Sequence, residues 1–224
     1  MKLNLLANIE EQTTSMVNDL TQIINHLLLK QDSVVIAVSG GKSPVTLFKK
    51  LSQSNVDWQK VTFTLVDERI VDPSSSDSNE HLVRNHLLYY NAAQAKFKGL
   101  MHVSDNIDDM INTANQIVKK IDIAILGMGE DGHTASIFPD CAELNAALDL
   151  AQEPSYIITN SISAKYQRIG LNLAALVNIP HLLLSINGET KLKVLQESIR
   201  QKSLSYPISY LIVQRPDLTT YWFD

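Results

Sequence analysis

One cysteine, Cys141, stands in 224 residues, so no internal disulfide can form and a reducing compartment suits the chain. No base lies near Cys141 in sequence, and it is not read as a nucleophile. Clusters of Cys and His with zinc-ligand spacing are missing too, and His81 and His86, five apart, do not share a helix face. No metal is expected. Positive charge is scarce: 19 Lys and Arg against 24 Asp and Glu leave a net −5. That balance argues against a nucleic-acid surface and leaves room only for a local basic pocket. No apolar run approaches the ~20 residues that span a bilayer. Asn4, Asn8, Glu10 and Glu11 interrupt any leader-like start, so a cytoplasmic protein is expected, with no membrane partner. Repeats, low-complexity tracts and linkers are absent, and residues 1–224 read as a single domain.

What is present is an ordinary globular composition, 45% apolar and 19% charged. Residues 8–30 carry Ile9, Met16, Leu20, Ile23, Ile24, Leu27 and Leu28 at mostly three- and four-residue steps, which predicts an amphipathic helix. Ser33–Val38, Val61–Val66 and Ile121–Leu126 are short β-branched or apolar runs and predict buried strands. Helices are predicted after Pro44, from Asp77 or Ser78, and over Ile107–Lys119. A short strand is expected around Leu100–Val103, and further strands over Ser155–Asn160, Arg168–Leu173 and His181–Ile186. Gly188-Glu189-Thr190-Lys191 opens another helix, and the apolar tail, Ile208–Val213 and Thr219–Phe223, folds back onto the body. Strands alternating with helices imply an α/β layer structure with a largely parallel sheet. Right-handed crossovers then bring the turns after residues 38, 66 and 126 to one edge.

Those three turns carry the chemistry. Ser39-Gly40-Gly41-Lys42-Ser43 links a strand to a helix, where backbone N–H groups suit an anion. The nucleotide P-loop pattern needs glycine at position 36, where Ile36 stands, and is rejected. Asp67-Glu68-Arg69 places two acids and an arginine at a strand's C-terminal end, facing a crevice or, more plainly, forming a solvated loop. Gly127, Gly129 and Gly132 match G-x-G-x-x-G, but Pro139 breaks the following stretch too soon for a dinucleotide fold, and Asp131 would repel a pyrophosphate. Of six histidines only His133 stands two residues from an acid inside a glycine turn. An imidazole titrates near neutral pH and suits proton transfer there. Thr134 is expected to cap a short helical turn closed by Pro139.

Val-Ser-Gly-Gly-Lys-Ser-Pro (38–44), Val-Asp-Glu-Arg (66–69), Asp-Ser-Asn (77–79) with Leu82 and Arg84, and Gly-Met-Gly-Glu-Asp-Gly-His-Thr-Ala-Ser-Ile-Phe-Pro (127–139) resemble the 6-phosphogluconolactonase family. Gly188–Lys191 and Tyr221-Trp222 resemble its later landmarks, so the likeness covers nearly the whole chain. It implies a Rossmann-like three-layer sandwich with a mostly parallel central sheet, the fold shared with glucosamine-6-phosphate deaminase, ribose-5-phosphate isomerase and CoA-transferases. It also implies hydrolysis of 6-phospho-D-glucono-1,5-lactone, the second step of the oxidative pentose phosphate pathway, with no cofactor and no obligate protein partner. The sister deaminase is the rival. There an aromatic residue normally follows the Asp-Glu pair and the His turn runs toward Asn-Glu-Pro, whereas here Arg69 and Thr134–Pro139 follow. A sensor that binds the sugar phosphate without turning it over is a non-enzymatic alternative.

Carried onto this chain, the likeness makes His133 the general base and Asp131 its orienting acid. Substrate and phosphate fall to Ser39, Gly40, Gly41, Lys42, Ser43, Asp67, Arg69, Gly129, Arg168 and Lys191. Two positions depart from the family: Lys42-Ser43 stands where Ser-Thr is frequent, and Gly170 where a threonine follows the Arg168 pair.

Overall fold

The computed structural model describes residues 1–41, 43–101 and 106–224. In chain order the elements are β1 (Lys2–Leu6), α1 (Ile9–Leu28), β2 (Val34–Val38), α2 (Val45–Leu51), β3 (Val61–Leu65), β4 (Asp67–Arg69), α3 (Asn79–His86) and β5 (Lys96–Phe97). There follow α4 (Ile107–Val118), β6 (Ile123–Leu126), α5 (Leu144–Ala147), β7 (Tyr156–Thr159), β8 (Arg168–Leu171), α6 (Leu173–Asn178), β9 (His181–Asn187), α7 (Glu189–Arg200), α8 (Ile208–Gln214) and β10 (Thr219–Phe223).

Seven strands form the central sheet in the order β1-β10-β9-β6-β2-β3-β5, and the neighbouring pairs run parallel. Every residue of β2 and β6 is buried, which is why both read as continuous apolar runs without polar alternation. Helix α1 starts where the Asn8 side chain accepts the Glu10 and Glu11 N–H groups. It seats Met16, Leu20 and Ile24 in the core, and its buried Gln12 donates to the carbonyls of Ile186 and Tyr221, both at 2.9 Å. That polar tie fixes the helix across β9 and β10.

From β2 the chain crosses outward to β3 and β5, whereas from β6 it steps the other way to β9. The β2–β6 boundary is therefore where the direction of winding reverses, the place at which an open parallel sheet leaves a crevice beyond its strand ends. A second sheet, antiparallel and three-stranded in the order β4-β8-β7, stands over that edge. Val66 joins the two: its N–H bonds Val38 at 2.9 Å while its carbonyl accepts from Leu171 at 3.0 Å.

Several expectations shift. Asp67–Arg69 is a strand, and its middle residue, Glu68, is fully buried, so the solvated-loop reading fails. The strand expected at 100–103 is not formed by Leu100 or Met101, and the rest of it lies outside the described residues; the chain pairs with β3 earlier, through Lys96 and Phe97. The tail does fold back, with β10 inserted between β9 and β1. Among the described residues no helix is long and apolar enough to cross a membrane.

Candidate functional site

A cavity of about 290 Å³ opens at the reversal point, and the three turns meet in it. Ser39, Gly40, Gly41 and Ser43 enter from the end of β2, Asp67 and Arg69 from β4, Gly129 and His133 from the loop after β6, and Lys191 from α7. Lys42 lies outside the described residues. Asp131 does not line the cavity but stands behind it, and Arg168 sits beside Arg69 in the β4–β8 register without reaching the lining.

His133 is held from two sides. Its Nδ1 lies 2.6 Å from Asp131 Oδ1, and the same oxygen accepts the His133 backbone N–H at 3.2 Å. On its flank the imidazole packs against Phe138, with ring centroids 4.2 Å apart. A carboxylate on Nδ1 makes that nitrogen the donor and leaves Nε2 with a free lone pair. Partial burial pushes the Asp131 carboxyl upward, but the adjoining imidazole outweighs this and the net direction is below the usual carboxylate range. Asp131 is thus an anion wherever His133 works.

Gly129 makes this pair possible. A Cβ there would stand 2.3 Å from His133 Nδ1 and 2.4 Å from Asp131 Oδ1. Gly129→Ala is accordingly expected to drive the imidazole off its acid, lowering kcat about tenfold or more while the melting temperature moves little. A kinetic comparison alongside thermal melts checks this.

The loop past His133 differs from its expected form. Thr134 caps no helix; its hydroxyl donates to the Gly127 carbonyl at 2.8 Å, and Ile137 N–H closes a tight turn onto Thr134 O, also at 2.8 Å. The two central residues, Ala135 and Ser136, have φ of +52° and +59°, left-handed angles that cost an L-residue roughly 1–2 kcal/mol each. Three contacts hold the strained turn. Ser136 Oγ donates to Asp67 Oδ2 at 2.5 Å, Thr159 Oγ1 donates to Ser136 O at 2.9 Å, and the Ala135 carbonyl presses on Gly170. A Cβ at position 170 would meet that carbonyl at 2.3 Å, so the departure from threonine is a steric requirement of this turn.

Four polar side chains of the lining lie outside the expected site set: Asn79, Thr134, Ser136 and Ser185. Asn79 was visible only within its motif. Its carbamoyl packs so closely on Gly40 that a Cβ there would lie 1.8 Å from Oδ1, and its Nδ2 donates to Asp67 O at 2.8 Å. Lys191 owes its position to Gly188 (φ +82°), whose carbonyl accepts from Trp222 Nε1 at 2.9 Å and so ties the start of α7 to β10.

Two cationic side chains stand on adjacent strands at the cavity's edge. Arg69 and Arg168 are cross-strand partners. Burial first, then the charge of Arg69, lowers the Arg168 guanidinium from its ordinary value. Buried Nε and Nη1 of Arg168 have no hydrogen-bond partner among the described residues. Two neighbouring guanidinium groups with unused donors form a site electrostatically suited to an anion. Among the described residues no group of His, Cys, Asp or Glu side chains is placed to hold a metal ion.

A model of the family described as Glucosamine-6-phosphate isomerases/6-phosphogluconolactonase matches residues 7–222. A 6-phosphogluconolactonase of Helicobacter pylori is 38% identical over 92% of this chain and 90% of its own length. One from Neisseria meningitidis is 34% identical over 92% of this chain and 91% of its own. The crystal structure of a 6-phosphogluconolactonase from Shewanella baltica superposes with a TM-score of 0.91 at 31% identity, covering 100% of this chain and 98% of that one. The chain belongs to the glucosamine-6-phosphate isomerase/6-phosphogluconolactonase family.

Proposed function

We propose that the protein hydrolyses 6-phospho-D-glucono-1,5-lactone, with His133 as general base. The observation that carries this reading is one cavity shared by an Asp-oriented imidazole and by Arg69, Gly40, Gly41 and Lys191. In the reaction His133 Nε2 takes a proton from a water whose oxygen attacks C1. The tetrahedral intermediate then collapses, the bond from C1 to the ring oxygen breaks, and the imidazolium returns its proton to that oxygen. No electrons change hands, so the step needs no redox cofactor. Asp131 keeps the proton on Nδ1 and stabilises the imidazolium, worth more in a partly dry site than in water.

Arg69 grips the phosphate with the Ser39–Ser43 turn, and Arg168 and Lys191 add charge. The N–H groups of Gly40 and Gly41 make no hydrogen bond among the described residues and suit either phosphate or oxyanion. Asp67, fixed by Ser136, and Gly129 shape the floor on which the sugar rests.

The test is incubation with freshly made phosphogluconolactone, following 6-phosphogluconate, with glucosamine 6-phosphate and ammonia release in parallel. Lactone turnover well above the spontaneous rate is expected. Ammonia release without it would instead support the deaminase reading, and binding without turnover the sensor.

A further inference from the structure

Glu68 plays no part in the chemistry above, yet four donors converge on its fully buried carboxylate. Oε1 accepts the N–H of Arg69 at 2.7 Å and that of Asn79 at 2.8 Å. Oε2 accepts the Ser78 hydroxyl at 2.9 Å and the Glu80 N–H at 2.8 Å. Helix stability alone does not account for an acid here. Ser78 already caps α3, its Oγ accepting the His81 N–H at 3.2 Å. A cap contributes about 1 kcal/mol, whereas taking a carboxylate out of water costs several. That burial raises the Glu68 carboxyl from its ordinary value, and the three N–H groups and the hydroxyl only oppose it.

The bonds close a loop around Arg69. Its backbone N–H ends on Glu68, while its guanidinium Nη1 donates to the Asp77 carbonyl at 2.5 Å. Asp77 immediately precedes the three residues that the Glu68 carboxylate gathers. Asn79, one of those three, reaches on to Asp67 and lies against Gly40.

We infer that Glu68 is a positioning residue that sets the phosphate affinity of the cavity, by fastening the first turn of α3 to β4 and so fixing Arg69 at both ends. The inference rests on the phosphosugar reading above. It adds a role for an acid that never touches substrate.

Glu68→Gln is the informative variant, because each carboxylate oxygen takes at least one backbone N–H. Either orientation of the new amide sets its NH₂ against such a donor. KM for phosphogluconolactone is expected to rise about tenfold with kcat within about twofold, and kcat/KM for the unphosphorylated lactone to stay unchanged. Ser78→Ala removes the local cap and one of the four bonds. It is expected to lower the melting temperature comparably while leaving KM within about twofold.

Calorimetric binding of inorganic phosphate supplies a readout independent of turnover, so a failure of the lactonase reading is seen separately. Its Kd is expected to weaken about tenfold in Glu68→Gln. If Glu68→Gln does not fold, Glu68→Asp keeps the charge one methylene short and is held to the same direction of change. Wild-type protein that binds no phosphate, or variants that lose thermal stability with Kd and KM unchanged, would overturn the inference.

Discussion

Replacing His133 with alanine is expected to lower kcat by about 10² to 10⁴, the range that a positioned general base supplies, and to leave KM within a few-fold. In free-energy terms that is roughly 3–5 kcal/mol of transition-state stabilisation. In the proposed arrangement the imidazole does not contact the phosphate, so ground-state binding has no reason to weaken. Phe138 loses a neighbour at 4.2 Å and Asp131 loses its partner at 2.6 Å, but the acid is only partly buried and water can reach it. Folding is therefore expected to survive. Asp131→Asn should fall on the same limb, since an amide accepts poorly from Nδ1–H and can turn the imidazole to the wrong tautomer. Steady-state kinetics over a range of lactone concentrations, corrected for spontaneous opening, decides it. Wild-type kcat in His133→Ala would remove the imidazole from the mechanism.

Arg69→Ala has its large effect on the other constant. A charge-assisted hydrogen bond is worth about 1.5–3 kcal/mol, so loss of the guanidinium is expected to raise KM by about ten- to a hundredfold. Arg168 and Lys191 soften the loss without replacing it: the Arg168 fork lies off the lining, and the Lys191 ammonium is a point charge. The discriminating comparison is with the unphosphorylated lactone, whose kcat/KM is expected to stay near the wild-type value. Equal losses on both substrates would mean that Arg69 shapes the cavity and does not recognise phosphate.

These two expectations are legible in the sequence, and the reason is physical. His133 and Arg69 lie within short motifs whose neighbours, glycines and acids, already restrict what the segment can do. The strands that deliver them are runs of β-branched residues, and β2 and β6 are buried on both faces, so their pattern survives without tertiary knowledge. Other features depend on partners far away in sequence. Strand β4 is Asp-Glu-Arg, which carries no hydrophobic signal and exists because β8, a hundred residues on, pairs with it. The Ala135–Ser136 turn uses two residues that disfavour left-handed angles, so nothing local announces it; Asp67, Thr159 and the space at Gly170 impose it from outside.

Glu68 shows the same limit from another side. An acid between Asp67 and Arg69 reads as a third group facing the crevice, and only the arrival of α3 turns it inward. Asn79 likewise becomes a cavity residue because it packs on Gly40, a contact between segments nearly forty positions apart. Active sites at the winding reversal of a parallel sheet are assembled from several strand ends, so their supporting contacts are nonlocal by construction. Sequence shows the groups that do chemistry sooner than the groups that hold them.

The central claim is that one end of the sugar is pinned by Arg69 and the glycine turn while His133 works on the other. A crystal structure with the product, 6-phosphogluconate, tests it directly. The account predicts the phosphate against Arg69 and residues 40–41, with the new C1 carboxylate within about 3.2 Å of His133 Nε2. A product bound the other way round, its phosphate on His133 and its carboxylate toward Arg69, would contradict it.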